Sequence, residues 1–198
     1  MHWACVGVFG LRDTLELMHT AYIGMGANLA SWAGQPEATL TAAARRLESL
    51  GHLLSRSSLF STKPVGFAAQ PRFVNAVVAL ETELETRELL ESLLAIELEF
   101  GRNRSANVQN GPRTLDLDIL LLGDVKIIEP SLEIPHPRLS ERAFVLIPLY
   151  EIAPQASDPR TGKTVTQLLH GLFPNLESES DSVVQIQWDG WRAGRDGA

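Results

Sequence analysis

Cysteine is nearly absent. Cys5 stands alone among 198 residues, so no internal disulfide can form and no cysteine spacing suits a structural zinc site. That usage fits a reducing cytoplasm. Long apolar runs are missing too: none approaches the roughly 18 residues of a membrane-spanning helix, and several are interrupted by Asp or Pro. A basic excess is also lacking. With a formal net charge of −7, the surface is unsuited to nucleic acid or anionic membrane, either of which requires positive charge to displace counterions. Any phosphate chemistry must therefore rest on local cations.

Several signature loops are absent as well. There is no GxxxxGK[ST], no GxGxxG after a strand and no GxSxG, which excludes a P-loop, a Rossmann cradle and a nucleophile elbow. A nucleotide would have to be held by side chains and metal. The opening MHWACVGVFGLRD has no basic segment before its apolar stretch, making it a poor secretion signal. Met18 is a second possible start, so residues 1–17 are expected to be an extension.

What remains is 44% hydrophobic with no low-complexity tract, enough for one compact domain. That domain is expected over residues 18–176, with 177–198 an extension offering VVQIQW as a possible last strand. AYIGMG reads as a strand. GQPEATLTAAARRLESLG places Leu40, Ala43, Leu47 and Leu50 on one helical face, with Pro36 near the start and Gly51 past the end. HLLSRSSLFST reads as a strand, KPVGFAAQP as a shaped loop, and FVNAVVALETEL as a central strand. RELLESLLAIELEF repeats Leu89, Leu93, Ile96 and Phe100 at helical spacing, with Thr86 as the expected N-cap. ERAFVLIPLYEIAP predicts a short helix disrupted near Pro148, and TVTQLLHGL another helix. The order strand, helix, strand, strand, helix, strand matches a ferredoxin-like α+β fold. Such an α/β sandwich has a mostly antiparallel sheet with helices packed on one face.

The stretch GPRTLDLDILLLG puts two acids, Asp116 and Asp118, into an otherwise apolar strand. Residues two apart share a face, roughly 6.6 Å from one another at about 3.3 Å of rise per residue, and the face is expected to continue into Leu120 and Leu122. Buried carboxylates without partners are expensive. Paired oxygen ligands beside phosphates suit Mg²⁺. The preceding loop carries Arg102, Arg104 and Arg113 without one acid, a guanidinium supply for a polyphosphate. IPHPRLSERAF gathers His136, Arg138, Arg142 and Phe144. Phe73 and Asn75 share one strand face, with Thr62 and Gly66 in the segment before it, and an aromatic face plus an amide suits a flat polar heterocycle.

Five ordered segments, YIGMGANLAS, KPVGFAAQPRFVNAVVALET, IELEFGRNR, GPRTLDLDILLLG and IPHPRLSERAFVLIPLYEIAP, closely resemble the 6-hydroxymethyl-7,8-dihydropterin pyrophosphokinase family between about Ala21 and Phe173. The resemblance implies transfer of the pyrophosphoryl group of ATP to 6-hydroxymethyl-7,8-dihydropterin, with release of AMP, by a cytoplasmic monomer. It implies Asp116 and Asp118 as ligands of two Mg²⁺ ions, and Arg102 and Arg113 as arginines assisting transfer. Glu97, Arg104, Ile119, His136 and Arg142 would lie on the ATP side. Thr62, Val65, Gly66 and Asn75 would contact the pterin between Phe73 and Phe144. Asn110, Ser105, Leu94 and Ala27 depart from residues that some members carry, but none is a proposed metal or transfer residue. Two other classes use similar pieces: a DxD nucleotidyltransferase, for which no Gly-Ser motif precedes the acids, and a ferredoxin-like binding module.

Overall fold

The computed structural model describes residues 18–64, 69–102, 111–172 and 183–195. Its centre is an antiparallel sheet begun by β1 (His19–Ala27). Helix α1 (Pro36–Leu47) follows, with Pro36 in its first turn, where the missing N–H costs nothing. A 3-10 turn (Glu48–Leu50) then leads to Gly51 at φ 157°, whose hypothetical Cβ would collide with the Glu81 carbonyl. Only glycine lets the chain turn so close to the neighbouring strand.

The next strand is broken in two. β2 (His52–Arg56) and β3 (Leu59–Thr62) both pair with β4 (Phe73–Thr82), β2 along its second half and β3 along its first. Between them the Ser57 N–H donates to the Val77 carbonyl, and the Ser57 hydroxyl accepts the Val77 N–H. Helix α2 (Thr86–Glu99) leads to β5 (Asp116–Leu122). Its N-cap is Glu85 rather than Thr86: Glu85 and Glu88 form a reciprocal capping box, satisfying two orphan N–H groups at once.

The order β5, β1, β4, β2, all antiparallel, is that of a ferredoxin-like sheet. Helices α1 and α2 cover one face, burying Leu40, Leu47, Leu89, Leu93 and Phe100 against Ile23, Val78 and Leu117. The helices are not confined to that face. After a small hairpin, β6 (Ile127–Glu129) with β7 (Leu132–Ile134), helices α3 (Ala143–Ile152) and α4 (Val165–Leu172) cover the other face over Val77 and Leu120. Helix α3 is apolar nearly all round, as a helix sandwiched between a sheet and a second helix must be. It also runs through Pro148 instead of breaking there, at the cost of one bond to the Phe144 carbonyl.

Strands β8 (Val183–Ile186) and β9 (Gly194–Arg195) pair with β3 and β2 respectively. Among the described residues no helix is long and apolar enough to cross a membrane.

Candidate active site

The acids lie where β5 faces the α3 side of the sheet. Asp116 and Asp118 alternate with buried Leu117 and Ile119, which point toward α1 and α2. Their shared face continues only to Leu120. Pairing with β1 shifts register there, Ile23 opposing Ile119 and Tyr22 opposing Leu121, so Leu120 is an extra, bulged residue. Leu122 is thereby turned to the opposite face, into the core with Leu117. The bulge also frees the Leu120 carbonyl to accept the His136 N–H at 3.0 Å, which draws His136 alongside the acids.

A cleft of about 280 Å³ opens above these residues. It is lined by Thr62, Phe73, Asn75 and Phe144, by Arg102, Arg113, His136, Arg138 and Arg142, and by Asp116 and Asp118. Lys63 also lines it and had no sequence signal beyond its charge. Two of the predicted site residues lie elsewhere. Ile119 is packed in the core under the α1 and α2 layer, and Glu97 is 1% exposed behind the cleft, its carboxylate accepting the Leu117 N–H at 2.9 Å and pairing with Arg102. Val65, Gly66 and Arg104, with Ser105 and Asn110, fall outside the described residues.

The two acids differ sharply in their partners. Asp116 is held by both arginines: Arg102 pairs with one oxygen and Arg113 with the other at 2.7 Å. Asp118 accepts no hydrogen bond from a described residue. Burial, reinforced by the Asp116 charge and only partly opposed by Arg142, pushes its carboxyl up to about 7. The arrangement is short of cations at one position, and a buried carboxylate in that state calls for a positive ligand. Arg102 Nε is itself buried with no hydrogen-bond partner.

Asn28, which the sequence did not single out, fixes Arg113. Its Oδ1 accepts the Arg113 N–H at 2.8 Å, and the Arg113 carbonyl accepts the N–H groups of Asn28 and Leu29. The arginines also cap the aromatic rings, Arg113 over Phe73 and Arg142 over Phe144, each 5.5 Å from the ring centre. On the same side the Asn75 amide donates to the Thr62 hydroxyl at 2.7 Å, leaving its oxygen beside Gly26. His136 is pushed down to about 4 by burial and by the Arg142 charge. Its Nδ1 accepts the Arg138 N–H at 3.0 Å. A backbone N–H can only donate, so the ring is neutral with its proton on Nε2.

Comparison with known proteins identifies what the chain as a whole is similar to. The family model described as 7,8-dihydro-6-hydroxymethylpterin-pyrophosphokinase (HPPK) matches residues 22–154. The 2-amino-4-hydroxy-6-hydroxymethyldihydropteridine pyrophosphokinase of Pseudomonas aeruginosa is 44% identical over 153 residues, covering 77% of this chain and 91% of that protein. The enzyme of the same name from Haemophilus influenzae is 43% identical over 154 residues, 77% of this chain and 92% of its own. Among solved structures, wild-type HPPK-DHPS of Plasmodium falciparum with pteroate matches at a TM-score of 0.69 and 14% identity, a likeness of fold. The match covers 90% of this chain but only 50% of that longer one.

Proposed function

Because this chain belongs to the 7,8-dihydro-6-hydroxymethylpterin-pyrophosphokinase family, we propose a division of labour within the cleft, with the pterin between Phe73 and Phe144 and the triphosphate across Asp116, Asp118 and the arginines. The reaction is transfer of the pyrophosphoryl group of ATP to 6-hydroxymethyl-7,8-dihydropterin, giving AMP and the pterin diphosphate in folate biosynthesis. The hydroxymethyl oxygen forms a bond to the β-phosphorus, the bond from that phosphorus to the α,β-bridging oxygen breaks, and AMP departs. The observation that supports the assignment is a single cleft lined together by paired carboxylates, two aromatic rings with an amide, and several arginines.

The donor set fits Mg²⁺. Asp116 and Asp118 share a face, Asp118 has no described partner, and no third acid or histidine completes a metal cage among the described residues. Two protein carboxylates with the remaining positions left to phosphate and water is the usual magnesium arrangement. When bound with ATP, two Mg²⁺ ions would neutralise the polyphosphate and ease loss of the hydroxyl proton. The chain's residues do the rest. Arg102 and Arg113 neutralise Asp116 in the free protein, and would turn to the phosphates if Asp116 held metal. Arg113 then meets charge developing in the transition state. The neutral His136 donates Nε2–H to a phosphate oxygen, and Arg142 adds a second contact. Asn75 reads the edge of the pterin while the rings hold its faces. The single cysteine suits a reducing cytoplasm, and the family resemblance suits action as a monomer.

Incubation with ATP, Mg²⁺ and the pterin, followed by product identification, tests this reading. AMP and a pterin diphosphate are expected in equal amounts. Release of ADP or pyrophosphate as the nucleotide-derived product would refute it.

A further inference from the structure

Behind the phosphate side of the cleft lies a polar network to which none of these roles has been given. Asp158 is 1% exposed. The chain after α3 folds around it: its N–H donates to the Lys163 carbonyl at 2.9 Å, and its own carbonyl accepts the N–H groups of Thr161 and Gly162. Its carboxylate accepts the Arg160 N–H at 2.8 Å, Arg160 Nε at 3.2 Å and Arg160 Nη2 at 3.0 Å. A guanidinium gripped in this way has little freedom left. Nη2 also donates to the His136 carbonyl at 3.3 Å, and Nη1 lies 3.5 Å from Glu133.

His136 is therefore clamped from two directions. Its N–H is fixed to the β5 bulge at Leu120 and its carbonyl both to the Leu139 N–H at 3.0 Å and to Arg160, while Nδ1 is fixed to the Arg138 N–H. These four contacts leave Nε2 as the free end of a residue that lines the cleft. A surface turn needs no buried carboxylate to close it, and burying one is costly unless its bonds serve a purpose. Here they aim one guanidinium at the backbone of one cleft residue.

We infer that Arg160, held by Asp158, is a positioning residue for nucleotide binding that acts through His136, fixing the segment so that Nε2–H meets the polyphosphate. The inference rests on the proposed contact between His136 and the phosphates. A residue that orients a ligand group from behind typically changes affinity by about tenfold when removed.

Titration with α,β-methylene-ATP and Mg²⁺ tests this in wild type, Arg160→Met, His136→Ala and the double variant, with pterin titration as the control. Arg160→Met is expected to weaken nucleotide binding about tenfold while pterin affinity stays within about twofold. In the His136→Ala background the same change is expected to have no further effect. Asp158→Asn, which loosens the grip without removing the guanidinium, is expected to act in the same direction, and it carries the test should Arg160→Met not fold. Wild-type nucleotide affinity in both Arg160→Met and Asp158→Asn would overturn the inference. So would a full additional tenfold loss in the double variant, which would make Arg160 an independent phosphate contact. If His136→Ala alone leaves nucleotide affinity intact, the assignment of His136 is wrong and the inference falls with it.

Discussion

Asp116 and Asp118 are chemically identical and two residues apart, yet among the described residues one pairs directly with two arginines and the other accepts no hydrogen bond. That asymmetry has a measurable consequence for stability. Asp118 has its carboxyl raised to about 7, so between about pH 4 and 7 the folded state holds a proton that the unfolded chain has lost. Its contribution is fully present below about pH 4 and is lost as pH rises through 7. His136, lowered to about 4, works oppositely: its contribution is present above about 6.5 and is lost as pH falls toward 4. The two slopes offset each other in the wild-type protein. In metal-free Asp118→Asn the buried charge is gone, so denaturant unfolding at pH 7.5 should show a gain on the order of 1–3 kcal/mol. The variant should also lose stability more steeply on acidification, because the histidine slope is no longer opposed. Stabilisation by Mg²⁺ with an ATP analogue should shrink in the same variant. Equal or lower stability at pH 7.5 would show that the Asp118 carboxyl is not raised in the folded protein.

At the scale of elements, alternation and helical period located the strands and helices that carry the site, because both signals are local. The DxD face, the apolar stripe of α2 and the strand bearing Phe73 and Asn75 were all legible. Features fixed by a distant partner were not. The bulge at Leu120 depends on pairing with β1, so the expected face through Leu122 reversed. Glu97 was expected near ATP, but α2 carries it under β5, where it anchors Arg102 and Leu117 instead. The broken edge at Ser57 and the second helical layer are likewise products of tertiary packing. One close approach between β1 and β4 affords a test at this scale. Gly26 pairs with Asn75, and a Cβ at position 26 would lie 3.0 Å from the Asn75 amide oxygen. Gly26→Ala should displace that amide and strain its 2.7 Å bond to Thr62. Losing one such hydrogen bond corresponds to about a three- to tenfold rise in the pterin Kd, with nucleotide affinity unchanged. Equal weakening of both ligands would place Asn75 outside a pterin-specific half-site.

Across the whole molecule, the last described residues, 183–195, complete the sheet rather than forming a unit of their own. β2 and β3 are two halves of one edge, and without β9 and β8 each would expose unpaired backbone. The break between them is sealed by Trp191, 8% exposed, whose Nε1–H donates to the Ser57 carbonyl at 2.7 Å while Arg56 stacks on its ring. Gln185 adds a bond to the Ser58 hydroxyl, which with the Ser58 N–H is also tied to Glu151 of α3. The terminal strands thus brace β3, the strand that presents Thr62 to Asn75. Truncation after Leu172 should therefore have three effects together. Thermal stability should fall, and pterin affinity should weaken more than nucleotide affinity. The bared edge should drive concentration-dependent self-association, visible by light scattering. Trp191→Ala separates the causes: removing a buried indole should cost about 3–5 kcal/mol, but β8 still covers the β3 edge, so the variant should associate no more than the unaltered protein. A truncated protein with unchanged light scattering and wild-type stability would show that these strands merely lie against the sheet. An associating Trp191→Ala variant would instead assign edge protection to the indole and not to the strands.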